Sequence, residues 1–453
     1  AKDTSTEHLE NPPPFEPRRA RPVPPLALRM TISDSPVPAF ALGVGTAAAA
    51  AYAYIAYTRH QEKAAAAAKD TSTKPILSIA PQTITKLASM SAADLTVKNL
   101  PPKDKGFVGV CIAGTGRIAE VHVRAILGNR RARLVHVVDV MGDLAKRFGD
   151  KYGCPSHSTD IAQACQDPAV DAVMVCTPTQ FHAAVCKVAA EYGKPIFCEK
   201  PVAAVTDDLI KVYQHAASCD VPLLCGFHRS YDPNFAEMIN AVSSGQLPGV
   251  SLIHSTSRDH PLPSFEFLKK GGGELLYDFT VHDLDQLLWL TGDGRDMPAS
   301  VFAAVSTNLD ELKGSGVDDT CVVVVKFESG AIACIDNSRY APYGYDARCE
   351  VFGRGGAMQM NNPSTSAVVF QAGRQGAVSG AVDESFPQRY AQAYANQMDH
   401  FLDVCMFGAK EKVTFRHSLL VNLLADAGVE SKKTGTFVDF RKFAGPSLKK
   451  AGF

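Results

Sequence analysis

Phe107-Val108-Gly109-Val110-Cys111-Ile112-Ala113 is a short apolar run, and Gly114-Thr115-Gly116-Arg117-Ile118-Ala119 follows it directly. The first stretch has the character of a buried strand, and a helical stretch, Glu120–Gly128, comes after the glycines. A second apolar run, Leu134 to Val138, ends in Asp139, 23 residues beyond Gly116. Each part has a physical use. Gly114 permits a tight turn, Gly116 lets backbone approach a pyrophosphate at a helix N-terminus, and small Ala119 lets helix and strand pack closely. Arg117 and Ile118 complete the cofactor-facing turn. A carboxylate at Asp139 accepts hydrogen bonds from ribose hydroxyls and repels a 2′-phosphate, so NAD is expected rather than NADP.

Downstream the strand–helix rhythm continues. Asp171–Cys176 reads as a strand ending at Thr177-Pro178, Phe181–Tyr192 as a helix, and Pro195–Cys198 as a strand ending at Glu199-Lys200-Pro201. Such alternation predicts a parallel sheet with ligands at the C-terminal ends of its strands. Thr177, Pro178, His182 and Glu199 fall at those ends and are assigned to the cofactor. Lys200 is placed to meet its nicotinamide end; the plainer alternative is a surface lysine in a turn.

Gly271-Gly272-Gly273 opens a third informative stretch, Glu274 to Leu290, closed by Thr291-Gly292. Val281, Leu284, Leu287 and Leu288 mark an apolar helix stripe, and Asp278 and His282, four apart, share a face. A carboxylate there would orient an imidazole that takes a hydroxyl proton. The alternative is a solvated Asp/His face. Asp283 and Asp285 are expected to face solvent or cap neighbouring groups.

Taken together, the Gly114–Ala119 turn, Thr177-Pro178 with His182, Glu199-Lys200-Pro201 and the Asp278/His282 helix resemble the Gfo/Idh/MocA oxidoreductases. The resemblance runs from about Phe107 to Phe440 and is nearest the inositol 2-dehydrogenase branch. Gly226–Phe235, Ser257-Arg258-Asp259 and the Asn337–Arg348 region carry that finer likeness. It implies an α/β fold: an N-terminal Rossmann parallel sheet, then an α/β domain with a large open, mostly antiparallel sheet. In this family that sheet commonly forms a homodimer or homotetramer interface. The resemblance further implies that Lys200 binds the reacting hydroxyl of a small polyol, His282 is the general base and Asp278 orients it. By the same carry-over, Arg258, Asp259 and Tyr345 line the polyol pocket. His228 and Ser230 stand where the branch usually has Asn and a second Arg, and Tyr277-Asp278-Phe279-Thr280 replaces the commoner Arg-Asp-Met. Those departures bear on which polyol is bound. Another sugar dehydrogenase or reductase, or an NAD- or sugar-sensing binding protein, are the rival readings.

Composition sets the outer limits. The 453 residues are 46% hydrophobic and 21% charged, with Lys+Arg 46 against Asp+Glu 47, so no field favours nucleic acid. Twelve cysteines, with no CxxC, argue for a reducing, cytoplasmic setting and against a disulfide scaffold or zinc site. Three segments are expected: a leader or unstructured region over 1–105, a Rossmann domain over 106–225, and a substrate-binding and oligomerisation domain over 226–453. The first holds 13 of the 28 prolines, two alanine tracts, and one recurrence of Ala1–Thr6 as Ala68–Thr73. Met30 is a candidate natural start. From Pro36 to Thr58 no residue is charged, and 23 helical positions would span ~34 Å, long enough for a membrane anchor. Ala and Gly contribute little insertion energy, so a leader or disorder is the alternative there.

Overall fold

A computed structural model describes residues 105–269, 274–372 and 376–453. The expected anchor at 36–58, the rest of 1–104 and the three glycines at 271–273 lie outside them. Among the described residues no helix is long and apolar enough to cross a membrane.

The N-terminal half alternates strands and helices: β1 (Val108–Ala113), α1 (Arg117–Leu127), β2 (Ala132–Val138), α2 (Gly142–Tyr152), β3 (Ser156–Ser158) and α3 (Ile161–Gln166). Then come β4 (Ala172–Val175), a 3₁₀ turn (Thr179–Phe181), α4 (His182–Glu191), β5 (Ile196–Cys198), α5 (Thr206–Ser218) and β6 (Leu223–Cys225). The six strands form one parallel sheet in the order β3-β2-β1-β4-β5-β6. Helices cover both faces, so β1 and β4 are buried at every position and read as unbroken apolar runs. Strand order reverses between β1 and β4, and the crevice there is where such sheets take ligands. In α1, Ala119, Val123 and Ile126 recur at helical spacing and are buried.

A second layer follows: α6 (Pro233–Ser243), β7 (Val250–Arg258), α7 (Phe265–Lys269), a π-helical turn (Leu276–Thr280), α8 (Val281–Leu290), β8 (Pro298–Ser306), β9 (Thr320–Phe327) and β10 (Ile332–Ser338). The chain continues through β11 (Asp346–Gly353), β12 (Gly356–Met360), the hairpin β13 (Val369–Ala372) and β14 (Gly376–Ser379), and α9 (Phe386–Arg389). It closes with α10 (Ala391–Phe407), α11 (Phe415–Thr434), β15 (Val438–Asp439) and α12 (Phe440–Lys450). Seven strands pair as β12-β11-β7-β10-β9-β8-β15, antiparallel except for β7 beside β10. The period of two decides which side chains meet the helices. Ser255 and Ser257 turn inward to α8, while His254, Thr256 and Arg258 meet Asp336 on the other face. Helix α10 turns back to the first sheet, where Met398, Phe401, Leu402 and Cys405 share a core with Val110, Ile112 and Phe197.

Asp283 and Asp285, expected to face solvent or cap neighbouring groups, are both fully buried. Asp283 accepts hydrogen bonds from Arg229 Nη1 (3.0 Å), Ser255 Oγ (2.6 Å), Ser257 Oγ (2.8 Å) and Asn337 Nδ2 (3.0 Å). Asp285 meets His417 Nε2 at 2.7 Å and accepts from Trp289 Nε1 at 3.0 Å. Helix α8 is enclosed all round, so its polar side has to be neutralised by partners from β7, β10 and α11.

Candidate active site

The glycine turn leaves β1 at the strand-order reversal. Gly114 has φ +96°, and a Cβ there would lie 2.6 Å from the Cys176 carbonyl oxygen, so only glycine fits. Gly116 differs: a Cβ there would meet nothing within 4 Å, and it caps α1 in extended conformation. An open face over the uncapped first turn of a helix is the cradle a pyrophosphate needs. Asp139, at the end of β2, accepts from Thr115 N (3.1 Å), Thr115 Oγ1 (2.6 Å) and Met141 N (3.0 Å). Its carboxylate is thereby held beside the turn, where a ribose would lie. At the end of β4, Thr177 Oγ1 is buried without a hydrogen-bond partner, and Pro178 is exposed. These residues fit a dinucleotide.

Four of the residues assigned to the cofactor have other engagements. Arg117 donates to Ser385 Oγ at 2.6 Å and covers the Phe386 ring at 4.6 Å, tying α1 to the start of α9. Ile118 is partly buried against both of the main apolar cores. Glu199 is buried, with His122 Nε2 2.6 Å from Oε1 and the Lys200 amide donating to Oε2. His182 lies between the carbonyls of Thr177 and Pro201, 2.8 Å from each, so it braces the β4 and β5 loops. Burial lowers its pKa despite those acceptors.

Lys200 and Asp278 meet at the end of β5. Lys200 Nζ donates to the Asp278 carbonyl oxygen at 2.5 Å and lies 3.4 Å from Oδ1, while Arg339 Nη1 reaches Oδ2 at 2.5 Å. Burial pushes the Asp278 carboxyl up, but Lys200 and Arg339 outweigh it and hold the pKa below the usual value. The side chain keeps 34% of its surface exposed, so a ligand can reach it. His282, one turn on, is buried, and its Nδ1 has no partner. Burial, then the charges of Lys200 and Arg229, push its pKa well below the ordinary value, so the ring is neutral at pH 7. The expected Asp278–His282 contact is thus replaced: the carboxylate turns to two cations, which bind it more strongly than a neutral imidazole does. His282 instead touches rings, with His228 edge-on at 5.1 Å and Phe227 at 6.2 Å.

Of the residues expected in the polyol pocket, Tyr345 is buried, with its ring edge-on to Tyr390 at 6.0 Å. Asp259 is half-buried, and burial pushes its pKa up to about 6 against the pull of Arg117 and Arg339. Arg258 is a correction. Alternation along β7 turns it to the face opposite α8, where it bonds Asp336 (2.9 Å) and Tyr343 Oη (3.1 Å). Arg339 was missed as a site residue although its stretch stood out, because nothing local distinguishes an arginine at a strand end from a surface one.

A family model described as an oxidoreductase family with an NAD-binding Rossmann fold matches residues 108–227, and a GFO/IDH/MocA C-terminal domain model matches 235–359. The chain is 35% identical to an inositol 2-dehydrogenase of Rhizobium meliloti (strain 1021), over 71% of this chain and 95% of that protein. It is 33% identical to a myo-inositol 2-dehydrogenase of Thermotoga maritima, over 71% of this chain and 96% of the relative. A solved structure from Sinorhizobium meliloti 1021 is similar with a TM-score of 0.69 at 33% identity, covering 74% of this chain and 99% of its own. The parallel sheet in Rossmann order, the glycine turn with its acid, and the matches along both layers place this chain in the Gfo/Idh/MocA family of NAD-binding oxidoreductases.

Proposed function

We propose that this protein oxidises a secondary hydroxyl of a cyclitol, myo-inositol first, to a ketone. The observation that carries the reading is the convergence of Lys200, Asp278 and neutral His282 at the C-terminal end of the Rossmann sheet. NAD, when bound, accepts the hydride. Lys200 Nζ holds the reacting hydroxyl oxygen and favours its developing negative charge. His282, held neutral, takes the hydroxyl proton. Asp278 keeps Lys200 in place, and Arg339 keeps Asp278 in place. Tyr345 and Asp259 border the polyol, while Gly114, Gly116, Asp139, Thr177 and Pro178 hold the dinucleotide.

The organisation proposed with it is a Rossmann domain over 106–225 and a substrate domain over 226–453. Self-association would run through the face of the seven-stranded sheet opposite α8, where among the described residues Leu252 and Phe352 are exposed at 42% and 50%. The uncharged run at 36–58 is proposed as a membrane anchor for a cytoplasmic body, and it requires detergent-dependent extraction of the full chain. The primary test is NADH formation by the purified full chain with NAD and a panel of cyclitols and hexoses. Selective turnover of myo-inositol is the expected result. Silence across the panel with NAD bound would replace catalysis by the sensing role.

A further inference from the structure

The catalytic side of the site contains more unmatched polar atoms than the proposed reaction uses. His228 is buried and its Nε2 has no hydrogen-bond partner, and the same holds for the Tyr390 hydroxyl and for His282 Nδ1. The three rings are neighbours: His228 lies edge-on to Tyr390 at 4.7 Å and to His282 at 5.1 Å. Stacking on Tyr394, at 4.6 Å and 18° between planes, fixes the orientation of the His228 ring. Buried polar groups are normally paired, and a cluster of unpaired ones around a single base implies a ligand that brings its own hydroxyls. The setting also decides which form of the imidazole is present. Burial, then Arg229 and Lys200, keep His228 neutral, so it offers one donor and one acceptor nitrogen. A hydroxyl, itself donor and acceptor, matches that pair better than a carboxylate or an ammonium would.

We propose that His228 is a specificity-determining residue that hydrogen-bonds the substrate hydroxyl adjacent to the one His282 deprotonates. The assignment rests on the polyol reading above. It follows from position: a ring next to the base reaches the next carbon's substituent when the base reaches the reacting one. Tyr390 borders the same hydroxyl from the far side of His228. The class of ligand selected is a ring alcohol with neighbouring hydroxyls, in preference to one lacking oxygen beside the oxidised carbon.

The test compares the full-length wild type with His228→Phe, which keeps an aromatic ring against Tyr394 and removes both nitrogens, and His228→Asn, which restores a donor and an acceptor. Each is assayed for NAD affinity, for kcat and KM on myo-inositol, and on its analogues deoxygenated at either carbon next to the oxidised one. Wild type should lose about 10–100-fold in kcat/KM on one analogue, the range for a lost buried hydrogen bond. His228→Phe should lose as much on myo-inositol, mainly through KM, and nothing more on that analogue. NAD affinity should stay within about twofold, and His228→Asn should recover part of the discrimination. The assignment is overturned if His228→Phe separates hydroxylated from deoxy substrate as well as wild type does. If that variant fails to bind NAD, His228→Leu is read by the same criterion. Failure of the polyol reading looks different: wild type then binds no cyclitol or hexose in calorimetric titration at saturating NAD, and both proposals fall.

Discussion

At the scale of single residues, chemistry depends on who holds which charge. His282 is neutral because burial and two nearby cations oppose a third positive charge. A neutral ring, able to accept a proton, is the form a general base needs. His282→Ala should therefore lower turnover by roughly 10²–10⁴-fold and leave NAD binding unchanged, as steady-state kinetics and nucleotide titration would show. Unaltered turnover would remove the base assignment. Asp139 gives a second, separable prediction. Its carboxylate is pinned beside the glycine turn by Thr115 and Met141. Asp139→Ala should weaken NAD and bring the NAD and NADP affinities closer together. An unchanged ratio would take the ribose role away from this residue.

At the scale of elements, α8 is held to α11 by an ion cluster one turn along the helix from His282. His417 on α11 has Nε2 2.7 Å from Asp285 Oδ1 and Nδ1 2.6 Å from Asp293 Oδ1, and it stacks on Trp289 at 4.6 Å. Burial pulls the His417 pKa down, but the two carboxylates prevail and raise it to about 9. The sign follows from linkage. A group whose pKa rises on folding stabilises fully below its unfolded pKa of about 6.5, and that stabilisation is lost as pH climbs through about 9. On the order of 3 kcal/mol is at stake. Urea unfolding of wild type should show a midpoint that drops between about pH 7 and 9.5, whereas His417→Gln should start lower and change much less over that window. Parallel curves for the two proteins would show that the imidazolium does not lock α8 to α11.

At the scale of the molecule, the two sheets are not independently buried. Helix α10 belongs to the second half of the chain yet completes the core of the first sheet, with Phe401 fully buried against Phe197 at 5.7 Å between rings. Arg131 on the first layer also pairs with Asp399 (2.8 Å) and Asp403 (2.6 Å) of α10. Phe401→Ala should cost about 3–5 kcal/mol through the cavity it leaves. Because the helix bridges both layers, calorimetry should show one shifted transition for the folded body; two resolved transitions would mean that the layers unfold separately.

What the sequence determined alone was whatever depends on short range. Strands β1 and β4 are unbroken apolar runs because both faces are covered, and the glycine turn, Asp139, and the Lys200 and His282 positions all lie beside elements with local periodicity. Tertiary structure decided the partners. It turned Asp278 to Lys200 and Arg339 instead of His282, enclosed Asp283 and Asp285, spent Glu199 on His122 and His182 on two carbonyls, and sent Arg258 to the far face of its sheet. Those outcomes depend on charges and carbonyls brought in from up to more than a hundred residues away, as with His417 on Asp285. A local pattern states which groups are available at a position, and only the folded chain states which of them win the competition for a buried charge.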